Sequence, residues 1–120
     1  MKTTELRIGN LVLLDGEEMI ITGITKDYVY FEGGFSMISF TDIKGIPLTE
    51  EWLLKFGFKK TKMKGNKNLM EFIKGNFIIY LYEEIEVYFS IWDDITLKYV
   101  HQLQNLYFAL TGEELEIKTN

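Results

Sequence analysis

The sequence predicts an α+β protein: a small N-terminal β-barrel-like (SH3-like) lobe over residues 1–47, followed by an α-β-β-β-α unit with an antiparallel sheet over residues 48–120. Three observations predict it. Short runs of β-branched and aromatic residues, broken by turn residues, fill positions 6–47. Thr49-Glu50-Glu51 then opens a short amphipathic helix. Three longer apolar runs lead into a last helical stretch, Leu97 to Leu115, with one apolar face. The two lobes read as a single structural unit.

In chain order, Leu6-Arg7-Ile8-Gly9-Asn10 leads into a strand over Leu11–Leu14, and Asp15-Gly16 makes a turn. Met19–Ile24 and Tyr28–Phe31 follow as strands separated by Lys26-Asp27. Gly33-Gly34 breaks the pattern, and Phe35–Phe40 forms a fourth strand closed by Thr41-Asp42. Strands this short and this close suggest a strongly curved sheet. After Pro47, Thr49 caps a helix over Glu50–Phe56. Its hydroxyl can accept a free backbone N–H, and Glu50 and Glu51 favour the positive helix end. Leu48 and Leu53 form a hydrophobic staple, and Gly57 ends the helix.

Residues 58–68 read as a lysine-rich connection. Leu69–Ile73, Phe77–Tyr82 and Ile85–Trp92 are the next strands, with Lys74-Gly75-Asn76 and Glu83-Glu84 as turns. A symmetric turn at Glu83-Glu84 sets Tyr82 opposite Ile85 and Tyr80 opposite Val87. Both faces of this sheet are apolar. The helices can cover one; the other calls for the N-terminal lobe, a second copy of the chain in a homo-oligomer, or a ligand. In the last helix Val100, Leu103, Leu106, Tyr107 and Leu110 share a face. Gln102, Gln104 and Asn105 fall mostly off it, and Gly112 suits the C-terminus.

Composition narrows the function. With 47% hydrophobic and 15% aromatic residues the chain can build a packed interior. It has no cysteine, which removes disulfides, thiol nucleophiles and zinc–thiolate sites and points to a cytoplasmic location. No signal peptide is indicated, and no apolar run approaches the roughly 20 residues of a membrane span, so no membrane partner is expected. No metal-binding His pair, Walker-type loop or nucleophile elbow is present, and the carboxylate pairs sit at turns and helix ends. The expectation is a protein that is not an enzyme, with no catalytic residues, no metal and no cofactor.

Charge is unevenly spread. Between Lys55 and Lys74 seven lysines face one acid, Glu71; that +6 in a chain of net charge −5 leaves −11 for the remainder. This makes nucleic acid an unlikely partner, while a local basic strip can focus a small anion. The candidate ligand site follows: Lys59, Lys60 and Lys62 to neutralise phosphate, Tyr88, Trp92 and Tyr99 to stack on a base, and His101 with Asn105, one helical turn on, to bond base or phosphate. Each also has a plainer reading: a solvated lysine loop, core aromatics and a solvated histidine.

Glu5–Asn10, Ile46–Phe58 and Tyr99–Leu115 together resemble a family of short proteins encoded in phages and prophages of gut bacteria. The resemblance spans most of the chain and carries over no catalytic or binding residue. What it implies is context, a phage product acting in the host cytoplasm. Small phage proteins of this kind can counter host defence by sequestering its nucleotide signals. The expected function is therefore a non-enzymatic binding protein for a small anionic nucleotide ligand. The alternative is an adaptor that binds protein or nucleic acid through the N-terminal β-lobe.

Overall fold

Leu11–Leu14 (β1) and Glu17–Ile24 (β2) are joined by Asp15-Gly16, at φ 51° and 80°. Two successive positive φ values make the tight hairpin whose twist matches antiparallel strands. Tyr28–Phe31 (β3), Ile38–Ser39 (β4) and Ile43–Lys44 (β5) complete a five-stranded antiparallel sheet in the order β4-β3-β2-β1-β5. The computed structural model describes residues 3–33, 38–62, 69–82, 87–90 and 95–117. Residues 35–37 of the expected fourth strand therefore lie outside it, and its described end is only Ile38–Ser39, followed by a tight turn at Phe40–Asp42. Among the described residues the expected barrel is not closed: β4 and β5 are the two edges of the sheet and do not pair with each other. Its interior is formed by Leu6, Val12, Leu14, Ile21, Val29, Phe31 and Ile43, all buried.

Glu50–Lys55 (α1) begins as its sequence dictates. The Thr49 hydroxyl accepts from the Trp52 N–H at 3.4 Å, two acids occupy the first turn, and Gly57 at φ 91° lets the chain leave. The Lys74 ammonium donates to the Phe56 carbonyl at 2.8 Å, placing a cation at the negative helix end. Lys59–Lys62 (β6), Leu69–Lys74 (β7), Phe77–Tyr82 (β8), Val87–Ser90 (β9) and Ile95–Leu97 (β10) form a second antiparallel meander, β10-β9-β8-β7-β6. Phe56, Phe58, Phe72, Phe77 and Ile79 are buried here.

This sheet corrects the sequence reading in three places. The lysine-rich connection contains a strand, β6, because an edge strand needs pairing on one side only and lysines there discourage a further strand from adding. The β8–β9 register sets Tyr82 opposite Val87 and Tyr80 opposite Phe89, a shift of two that leaves each residue on its expected face. Leu97 pairs with Tyr88 as a strand residue, so the last helix, Val100–Thr111 (α2), starts later than expected. Gly112 ends it at φ 76°.

The chain divides into two compact units, Met1–Pro47 with Tyr99–Gly112, and Leu48–Lys98 with Glu113–Asn120. The last helix thus groups with the first sheet, where it packs beside β1, rather than closing an α-β-β-β-α unit. The reason is polar. Asn10, fully buried, donates through Nδ2 to Asn105 Oδ1 at 2.8 Å and to Gln104 Oε1 at 3.4 Å, and its Oδ1 accepts from the Arg7 N–H at 2.7 Å. Gln104 accepts from the Leu11 N–H at 2.8 Å and donates to the Gly9 carbonyl at 3.2 Å. Asn105 donates to the Glu5 carbonyl at 2.9 Å. These bonds tie the Arg7–Asn10 turn to the middle of α2. Among the described residues no helix is long and apolar enough to cross a membrane.

Candidate functional site

The start of α2 and the end of β5 meet at a glycine, Gly45. Tyr99 pairs with Pro47 in an isolated antiparallel bridge, and the Val100 N–H donates to the Ile46 carbonyl at 2.8 Å. Gln102 fastens this helix start by accepting from the Tyr99 N–H at 3.1 Å. The Tyr99 ring is thereby laid on Gly45: a Cβ there would stand 2.6 Å from Cγ and Cδ1 of the ring. Any side chain at position 45 would force the phenol out, so glycine is needed for this close approach.

Tyr99 also stacks on His101, with ring planes 11° apart and centroids 5.6 Å apart. Together with Glu5, Ile43, Lys44 and Gly45 it lines a cleft of about 400 Å³ within the first unit. That is a volume suited to a small organic ligand. Tyr99 is 37% exposed, and Glu5 and Lys44 are exposed, so an aromatic face, an anion and a cation meet at one opening.

His101 lies behind Tyr99 and is completely buried. Neither ring nitrogen has a hydrogen-bond partner among the described residues. Burial holds its pKa below the ordinary value of 6.5, and the Glu5 carboxylate pulls in the opposite direction with less effect. The unfolded chain takes up a proton near pH 6.5 while the folded chain resists it, so stability is full above about pH 7 and falls as the pH drops through 6.5. Urea denaturation should give a lower unfolding free energy at pH 5.5 than at pH 7. Equal stability at the two values would mean that the imidazole accepts a proton in the folded state.

The sequence-derived site residues do not form one constellation. Tyr99 and His101 are in contact, as just described. Asn105 is on the same helix, but its amide is committed to Asn10 and the Glu5 carbonyl, which makes it a structural residue rather than a partner for His101. Lys59 and Lys60 are exposed on the edge strand β6 of the second unit, and Lys60 pairs with Glu50 of α1. Lys62 ends the same strand, and its side chain lies outside the described residues. Tyr88 is buried in β9, its ring 6.3 Å from that of Phe72, and reads as core. Trp92 lies outside the described residues.

Glu5, Lys44 and Gly45 were not legible as site residues. The available signal was Gly45 itself, a glycine following a strand with no hairpin partner, which marks a close backbone approach. Among the described residues no group of three His, Cys, Asp or Glu side chains could hold a metal ion. No family model matches the chain, and no curated protein or solved structure matches it.

Proposed function

We propose that this protein acts by binding rather than by catalysis, and that it sequesters a small anionic ligand of nucleotide type in the cleft of its first unit. The observation that supports this reading is the convergence of the Tyr99 ring face, the Lys44 cation and the Glu5 carboxylate on one cleft floored by Gly45. A base stacks on an aromatic face, a phosphate takes a cation, and a carboxylate accepts from an exocyclic amine or ribose hydroxyl. In the phage context that the sequence resemblance implies, the ligand is a nucleotide signal of host defence, and removing it from solution is the whole activity. A homo-oligomer belongs to this reading, with the apolar sheet faces as its interface.

Native mass spectrometry tests the reading with the intact protein and a panel of nucleoside monophosphates and cyclic dinucleotides. A retained ligand is expected. Tyr99→Ala is expected to weaken it about ten- to a hundredfold, since one base stacked on an aromatic ring contributes ~1–3 kcal/mol. Retention of no member of the panel by the wild-type chain would overturn the proposal.

A second reading, an adaptor acting through the β-lobe, is favoured by one observation. Ile8 and Ile20, 58% and 40% exposed, lie on adjoining segments, where the Gly9 N–H donates to the Ile21 carbonyl at 2.8 Å. A partner held there through apolar contact would bind with little dependence on salt, unlike a nucleic acid.

A further inference from the structure

His101 is the chain's one histidine, and nothing described so far uses it. Native interiors pair nearly all their buried polar atoms, so a buried ring with both nitrogens unpartnered among the described residues calls for a reason. Its orientation supplies one. The Cε1 atom, which sits between the two nitrogens, comes within 3.1 Å of the position a Cβ would take at Gly45. The polar edge of the imidazole is therefore turned toward the bare floor of the cleft. The Tyr99 ring stacks parallel on the imidazole face and is itself more than a third exposed.

The geometry points to a base-reading pocket in which Tyr99 is the lid and His101 the inner recognition group: a planar nitrogen heterocycle enters the seam at Gly45 beneath the phenol ring, stacks on that ring and hydrogen-bonds the edge of the imidazole. This rests on the nucleotide reading above and names the base as the part of the ligand that enters. A neutral imidazole offers one N–H donor and one bare nitrogen acceptor, which matches the mixed donor and acceptor edge of a nucleobase. Phosphate, an acceptor only, is better served by an exposed cation, and Lys44 at the opening is that cation. Burial keeps His101 in the neutral form that suits the first task and not the second. The glycine is part of the device, because a methyl group at position 45 would take the seam that the heterocycle must enter.

A single histidine makes the test direct. In the ¹⁵N-labelled protein the long-range imidazole ¹H–¹⁵N spectrum contains one side chain, and it is followed while AMP, GMP, CMP, UMP and inorganic phosphate are added in turn. At least one nucleoside monophosphate should move a His101 nitrogen resonance and the Tyr99 ring signals together, while phosphate moves neither. Gly45→Ala should weaken that nucleotide at least tenfold, and His101→Phe should reduce its affinity to that of inorganic phosphate. A nucleotide that binds with the His101 resonances unmoved, and binds His101→Phe equally well, overturns the inference and leaves the binding function standing. Failure of all four nucleotides to bind overturns the inference, and failure of the cyclic dinucleotides as well removes both.

Discussion

Replacing Asn10 with alanine is expected to cost about 3 kcal/mol of folding stability, and Gln104→Ala a comparable amount. The Asn10 side chain is fully buried, and it satisfies the Arg7 N–H and the amide oxygens of Asn105 and Gln104 at once. Truncation strands at least two of these groups, and each buried polar atom left alone costs about 1–3 kcal/mol. A domain of this size has a total stability on the order of 5–15 kcal/mol, so the loss is a large fraction of it. Asn10→Asp is expected to do no better. It replaces the donor with a second acceptor facing two amide oxygens. Neither neighbour can turn over to help, because Gln104 Nε2 is held by the Gly9 carbonyl and Asn105 Nδ2 by the Glu5 carbonyl. A urea-denaturation cycle over Asn10→Ala, Gln104→Ala and the double variant should show a coupling on the order of 1 kcal/mol or more. Strictly additive losses would mean that the three amides do not act as one network.

That network also explains which parts of the fold the sequence made legible. Local chemistry was enough wherever an element is specified by its own residues: Asp15-Gly16 for the first hairpin, Thr49 and Gly57 for α1, and Gly112 for the end of α2. It failed where the deciding partner is remote. Gln104 looks like a surface residue by helical spacing, yet it is 3% exposed because its partner Asn10 lies 94 positions away. His101, one turn earlier, is buried against the remote Gly45, while Leu110, expected on the apolar face, is 49% exposed. The lysines of β6 hid a strand because β-pattern reasoning looks for apolar alternation, and an edge strand does not require it. In the first unit the cleft is built on a glycine and a single lysine, which composition does not single out.

Replacing His101 with phenylalanine is expected to raise stability, by about 1–2 kcal/mol at pH 7 and by more at pH 5.5. Two effects add. A phenyl ring keeps the parallel contact with Tyr99 and removes two buried nitrogens that lack partners among the described residues, less some cost for its larger size. It also removes the group that must stay neutral to remain buried, so the acid-side loss of stability attached to the imidazole disappears. Most substitutions in a packed interior destabilise, and one that does the reverse marks a residue kept for something other than folding. Chemical denaturation of both proteins at the two pH values measures the effect. If the variant is instead the less stable at pH 7, the imidazole is a satisfied structural group, and the case for its reading a base falls with that result. If it is the more stable and no longer retains a nucleotide, then His101, Tyr99 and Gly45 are maintained at a cost in stability for the ligand they admit.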